Sequence, residues 1–483
     1  MNIVMITPET TPFSKTGGLA DVCGALHKEL GQQGHTVKTF TPFYHCVGEG
    51  KNRPSDTGKR LDVSIAGKIY KGEIWNSGDV YFIRNDHFFM RHGLYGEGGK
   101  DYEDNALRFT FFSLASLEAI REIAGKTDII HCHDWQTALV PFYLKESYAG
   151  DSCLGSSASV FTVHNLAYQG LFPKETLKKI GLGWEIFTPS KLEFYDKLNF
   201  MKGGLVFADM LTTVSRGYAR EIQKSGTGCG LEGLLRERRK DLTGIVNGID
   251  FDDWDPKKDN MIPANYSPSN MTGKAKCKAA LREAFNLPDM GDIPLVGMVS
   301  RLDPQKGFGL IREAEKKLAG LPAQFAFLGS GKEDIENYLR RLAKKFPDKI
   351  AVSIGYSEKL AHLIEAGSDI YLMPSRYEPC GLNHLYSLKY GTLPVVRATG
   401  GLDDTISNFN KKTKKGNGFK FTLFSSRAML IMLRRAIDLY TKDRKTWLLI
   451  QKNAMSEDHS WKRSIPEYEA VYKRAIKKKQ QSS

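Results

Sequence analysis

The chain has no paired cysteines. Seven are scattered at positions 23, 46, 132, 153, 229, 277 and 380, an odd number with no Cys-x-x-Cys spacing. That argues against a disulfide framework or a zinc ribbon and fits a reducing cytoplasm. Long apolar runs are also missing, none approaching the roughly 18 residues a membrane-spanning helix needs. Met1-Asn2-Ile3-Val4 leads straight into a strand without a basic leader and apolar core. The expectation is a soluble, untargeted, cytoplasmic protein with no membrane partner. Acidic residues are in deficit, since 69 lysines and arginines against 55 aspartates and glutamates leave a net charge of +14. The excess favours anionic ligands, but no basic stripe interleaved with aromatics and no recognition-helix motif accompanies it, so nucleic acid is not an expected partner. Part of it sits at Lys473, Arg474 and Lys477 to Lys479, which read as a solvated helix end.

What the chain does have is a globular composition, 41% hydrophobic over 483 residues, too long for one core. Ile3 to Ile6 has the β-branched content of a buried strand. The loop after it, Lys15-Thr16-Gly17-Gly18-Leu19-Ala20-Asp21-Val22, leads into Leu19, Val22, Leu26 and Leu30 at helical spacing. Two adjacent glycines, a helix start and a lysine suit an anion such as a phosphate, although plain turn chemistry is the alternative. Strand candidates at 35–41, 80–84, 128–133 and 159–163 alternate with helices over 104–124 and from 135, which implies an α/β domain with a parallel sheet. Gly244 to Asp250 ends this half, and the polar, irregular stretch from Asp252 to Asn270 marks a junction. A second series follows at 293–300, 324–328, 350–354, 370–373 and 393–396. The expected division is therefore 1–248, 249–455 and a helical segment 456–483, with a ligand cleft between two facing α/β domains.

The second series opens with a strand and then Arg301-Leu302-Asp303-Pro304-Gln305-Lys306-Gly307. Surface charge is one reading. With Lys15 opposite, a clamp for a pyrophosphate is the other. Between two prolines, Glu378 precedes a helix running from Asn383 to Tyr390, as a site carboxylate or a helix cap.

These stretches, with His131-Cys132-His133-Asp134-Trp135, Phe161-Thr162-Val163-His164-Asn165-Leu166, Val246-Asn247-Gly248-Ile249-Asp250, Ile354-Gly355-Tyr356, Glu378-Pro379-Cys380-Gly381-Leu382 and Thr399-Gly400-Gly401-Leu402, occur in an order that resembles the bacterial glycogen synthases and plant starch synthases. The resemblance runs from Ile3 to about Ile476. It implies an α/β fold of two facing Rossmann-like domains (GT-B) with a C-terminal helix crossing back to the first, and a retaining glucosyltransferase. The donor would be ADP-glucose, or alternatively UDP-glucose, and the acceptor an α-1,4-glucan, or alternatively a small sugar. It places the donor diphosphate on Lys15, Gly18, Arg301 and Lys306, and the glucosyl ring near His164, Asn165, Asn247 and Glu378. The base stacks near Tyr356, Cys380, Gly381 and Leu382 belong to the substrate-binding turn, and Asp21 and Tyr95 match further active-site positions. Catalytic roles fall on Glu378, His164, Lys306 and Arg301. No cofactor and no metal are expected, because cations at the leaving phosphate can do the work of a metal ion. A catalytically silent glucan-binding scaffold is the rival from another class.

Three patterns are treated as decoys. Gly228-Cys229-Gly230-Leu231-Glu232-Gly233 spells a dinucleotide fingerprint but follows a helix-like segment instead of a strand. Asp250 and Asp252 resemble a metal pair but lie in a junction loop, and His131 and His133 alone make a poor metal site. The chain also departs from related enzymes in carrying Tyr386 eight residues after Glu378, where many hold the ribose with a second Glu, and Asn383-His384 at the helix start.

Overall fold

The β-branched runs of the N-terminal half become the parallel centre of a nine-stranded sheet in a computed structural model that describes residues 1–50 and 52–482. Lys51 and the terminal Ser483 of the expected 456–483 segment lie outside the described residues. The strands are β1 (Asn2–Ile6), β2 (Thr36–Pro42), β3 (Ser55–Ile65), β4 (Lys68–Ser77), β5 (Val80–Arg84), β6 (Ile129–His133), β7 (Ala158–Val163), β8 (Met210–Thr213) and β9 (Leu242–Gly244). They lie in the order β9-β8-β7-β6-β1-β2-β5-β4-β3. β6 and β7 are buried along their whole lengths, as strands covered on both faces by helices must be. The chain leaves β1 toward β2 and later returns to β1's other side with β6, so the strand order reverses at β1, where α/β sheets bind ligands at their C-terminal ends. Residues 55–77 carry no buried-strand run. Only the alternation Leu61, Val63, Ile65 marks them, and they form an antiparallel hairpin at the sheet edge, turned at Ala66 and Gly67 with φ of 52° and 76°.

By contact the chain divides into two units, Met1–Gly248 with Trp461–Ser483, and Ile249–Ser460. The helix Trp461–Ser482 lays Trp461, Ile465, Tyr468, Tyr472 and Ala475 along one stripe, into a core with Val22, Leu26 and Leu30 of the helix Gly18–Gln32 and with Ile3, Ile129 and Val160. Residues 456–460 stay with the second unit, where Ser460 bridges to Ile249, so the return to the first unit begins at Trp461. Ser464 Oγ donates to the Val246 carbonyl at 2.6 Å, and a Cβ on Gly248 would stand 2.5 Å from the Trp461 backbone nitrogen. Gly248→Ala should therefore lift the helix off the strand end and cost about 1–3 kcal/mol of overpacking. Chemical denaturation checks it, and an unchanged midpoint would show that the loop yields freely.

The second unit holds a six-stranded parallel sheet, β12-β11-β10-β13-β14-β15, made of β10 (Leu295–Val299), β11 (Gln324–Gly329), β12 (Ile350–Ile354), β13 (Ile370–Met373), β14 (Leu393–Arg397) and β15 (Phe419–Phe421). Its reversal falls between β10 and β13, whose C-terminal ends carry the Arg301 and Glu378 loops. No helix among the described residues is long and apolar enough to cross a membrane.

Candidate active site

In the first unit the loop after β1 wraps around one buried carboxylate. Glu9, 3% exposed, accepts from Thr16 Oγ1 at 2.6 Å, from Tyr95 Oη at 2.5 Å and from the Thr16 backbone N–H. Burial raises its pKa, and the hydrogen bonds from Thr16, Tyr95 and Gly17 oppose that shift without cancelling it. Glu9 thus ties Tyr95 to the glycine loop. Lys15, within that loop, pairs with Asp21 at 2.7 Å, and both remain partly exposed. A Cβ on Gly17 would meet nothing within 4 Å, and Gly18 opens the helix with no side-chain cap on its first N–H groups.

The strand ends beside it hold a chain of histidines. His131 and His133 share a face of β6 with ring centroids 4.2 Å apart, and His133 Nδ1 lies 3.0 Å from His164 Nε2, beyond the end of β7. His131 is anchored to Tyr472 Oη at 2.9 Å and Thr162 Oγ1 at 2.6 Å. Asp134 adopts φ of 56° and accepts from the His164 backbone N–H at 2.7 Å, with Asn165 N–H as a second donor. Burial pushes its pKa up to about 7. Asn165 Oδ1 caps Ala167 N–H at 3.1 Å. Asn247, 5% exposed, has a side-chain oxygen with no hydrogen-bond partner among the described residues, as expected of a group that meets a ligand.

Desolvation lowers all three histidines, His131 and His164 to about 3. They stay neutral in the folded protein, whereas in the unfolded chain they protonate near 6.5. Their stabilising effect is complete above 6.5 and is lost as pH falls toward 3, at up to ~1.4 kcal/mol per pH unit per histidine. Asp134, whose folded carboxyl keeps a proton up to about 7, acts in the opposite sense, as do Glu9 and Glu365, but burial also lowers His27 and His384, so the lowered imidazoles outnumber the raised carboxyls. Urea midpoints should fall on acidification from pH 6.5, and less steeply in His131→Gln, which keeps both hydrogen-bonding ends. Equal slopes would contradict the neutral-histidine account.

The second unit carries two interlocked loops at its strand ends. Asp303 caps the short 3-10 turn Pro304–Lys306, and Gly307 has φ of 84°, where a Cβ would stand 2.2 Å from the Pro374 carbonyl. Arg376 N–H donates to the Gln305 carbonyl at 2.7 Å, and Gln305 Nε2 donates to the Tyr377 carbonyl at 3.1 Å. Against this frame Lys306 Nζ meets Glu378 Oε2 at 2.7 Å, and Ser375 Oγ donates to the same oxygen at 3.0 Å. Glu378 is 4% exposed. It serves as no helix cap: the helix Asn383–Lys389 starts after Leu382 and has no side-chain cap bond. Cys380 is buried, Gly381 has φ of 75° with Glu378 Cγ 3.2 Å from its would-be Cβ, and Gly400 could take no Cβ because the Glu378 carbonyl would lie 1.9 Å away. Arg301 is exposed after β10, and Tyr356, 73% exposed, follows β12.

A lysine, an arginine and a buried carboxylate at strand ends suit transfer from a sugar phosphate. Residues 2–237 match the starch synthase catalytic domain family and residues 282–446 the glycosyl transferases group 1 family. A glycogen synthase of Anaeromyxobacter sp. (strain Fw109-5) is 46% identical over 480 residues, covering 98% of this chain and 99% of that one. The chain belongs to the glycogen and starch synthase family. Another glycogen synthase, from Koribacter versatilis (strain Ellin345), is also 46% identical over 480 residues, 98% of each chain. The catalytic domain of starch synthase IV from Arabidopsis thaliana, solved bound to ADP and acarbose, superposes with a TM-score of 0.91 at 35% identity, covering 99% of both chains. A sucrose-phosphate synthase from Thermosynechococcus elongatus, at 15% identity, TM-score 0.59 and coverage of 98% of this chain and 99% of that one, shares the fold alone. Membership makes the protein a retaining glycosyltransferase with GT-B architecture.

Within this family frame the decoys resolve structurally. The helix Arg216–Glu221 precedes Gly228, so no strand presents a dinucleotide loop. Asp250 Oδ1 accepts from Asp252 N–H at 2.8 Å and Asp252 pairs with Lys258, the behaviour of turn residues. Tyr386 lies flat on Trp254 at 3.9 Å, and Trp254 stacks on His362 on its other side. That stack engages the Tyr386 ring on the Trp254 face. Glu9 and Asp134 went unrecognised as site groups in the sequence. Glu9 had no detectable signal, since Tyr95 lies 86 residues away, whereas Asp134 sat inside a quoted motif.

Proposed function

We propose that this synthase transfers the glucosyl group of ADP-glucose to the non-reducing end of an α-1,4-glucan, in the cytoplasm and without a metal ion. The observation that carries the reading is the contact between Lys306 Nζ and the buried Glu378 Oε2. A buried carboxylate held beside a cation can stabilise positive charge growing on the sugar, while the ammonium serves the phosphate that leaves. Lys15 and Gly18 in the first unit, and Arg301 and Lys306 in the second, are assigned to the donor diphosphate. His164, Asn165 and Asn247 are assigned to the glucosyl ring. His164, held neutral by burial, offers the ring a hydrogen-bonding imidazole without a repelling charge. Tyr356, exposed after β12, offers a face on which a base can stack. Cys380, Gly381 and Leu382 lead from Glu378 into a helix start, with Asp21 and Tyr95 completing the set through the Lys15 loop. Starch synthase IV, solved with ADP, supports the adenine nucleotide.

The test is glucose transfer to glycogen from ADP-glucose and UDP-glucose side by side. Faster elongation from ADP-glucose is expected, insensitive to chelator. A preference for UDP-glucose would reassign the donor, and transfer to free sugars alone would reassign the acceptor.

A further inference from the structure

The histidine chain has a third neighbour. Cys23, on the helix that follows the glycine loop, brings its thiol to His133 and His164, so that one ligating atom from each of the three residues lies within 4.8 Å of the others. All three are buried, Cys23 and His133 completely. Their donor atoms come from three separate elements, which the spacing of His131, Cys132 and His133 alone could not supply. One ring nitrogen of His133 meets His164, and the other, Nε2, is buried with no hydrogen-bond partner among the described residues. That second nitrogen is therefore open to take the ring proton when Nδ1, the nitrogen facing His164, turns its lone pair to a ligand.

We propose that Cys23, His133 and His164 form a binding site for a thiophilic divalent cation of the zinc class, and that its occupancy blocks glucosyl transfer. Tetrahedral zinc with Zn–S of about 2.3 Å and Zn–N of about 2.0–2.1 Å holds its ligand atoms roughly 3.3–3.6 Å apart. The two imidazole nitrogens stand at 3.0 Å and the thiol lies within 4.8 Å of both, so closure requires the nitrogens to part by a few tenths of an ångström and the thiol to approach by no more than about 1.5 Å. Both imidazoles are held uncharged by burial, so neither must lose a proton to bind. A ring N–H now facing its neighbour moves to the other ring nitrogen, and the thiol releases one proton as the sulfur–metal bond forms. Burial above all, with smaller contributions from the carboxyls of Asp134 and Glu9, disfavours a bare thiolate at Cys23, and those carboxyls favour a cation beside it. Three protein ligands leave the fourth position open. The metal takes no part in the proposed reaction. It blocks by holding His164, and that part alone rests on the assignment of His164 to the glucosyl ring.

The experiment titrates the full-length protein with Cd²⁺, with no donor or acceptor present, and follows the ultraviolet thiolate-to-metal absorbance, so the binding result does not depend on the assigned reaction. One ion per chain and one proton released are expected. Cys23→Val, which retains an apolar side chain of similar size, and His133→Gln should each weaken this binding by ~100-fold or more, beyond the ~10–100-fold typical of losing an outer partner. Zn²⁺ should then inhibit transfer by the native enzyme and spare Cys23→Val at the same concentration. Absence of the absorbance in the native protein, or its persistence in both variants, would overturn the site. Binding without inhibition would overturn the block.

Discussion

Replacement of Glu378 by alanine is expected to lower turnover by about three orders of magnitude while donor affinity changes far less. The carboxylate is buried beside Lys306 and Ser375, so its charge acts where little water screens it. Its assigned role is to oppose positive charge that exists only as the glycosyl–phosphate bond breaks, so its loss should fall on kcat and barely on KM. The same change leaves the half-buried Lys306 ammonium without its partner, which costs less than the ~3–5 kcal/mol of breaking a fully buried ion pair. Both readouts are needed. Glu378→Gln keeps the shape and a hydrogen-bonding oxygen, so it should recover much of the stability and little of the turnover. Near-native turnover in either variant would sink the assigned role.

The second large effect is expected at the cations. Arg301→Ala and Lys306→Ala should each raise the barrier by about 2–4 kcal/mol, roughly 30- to 1,000-fold in rate, the loss expected on removing one preorganised donor from the leaving group. The two should differ in a second respect. Lys306 is paired with Glu378, so combining Lys306→Ala with Glu378→Gln should cost less than the sum of the separate effects. Arg301→Lys keeps the charge but loses the fork that grips two phosphate oxygens, so partial activity is expected. Strict additivity of Lys306 and Glu378 would separate two groups that the structure joins.

Much of this architecture was legible because parallel strands buried on both faces carry continuous β-branched runs. Ile3 to Ile6 became a strand for that reason, and 129–133 and 370–373 through buried runs that mix Ile with His, Cys, Tyr, Leu and Met. The hairpin at 55–77 was not legible, because an edge with one solvated face dilutes its apolar residues to every second position. In the site, Lys15, Arg301, Lys306 and Glu378 could be named because each stands in a turn whose glycines and prolines give it away. Glu9 could not, because an isolated carboxylate has no periodicity.

The sequence by itself determined the fold class and the family, and it put forward the groups proposed to meet phosphate and sugar, since these depend on local patterns and on the order of short motifs. Tertiary structure alone decided that Lys306 meets Glu378 across 72 residues, that Glu9 gathers Thr16 and Tyr95, and that Cys23 joins His133 and His164. The physical reason is that distance and burial set protonation and pairing. A histidine in a sequence carries no pKa, but the same residue buried among apolar strands loses its charge, and only folding supplies that surrounding.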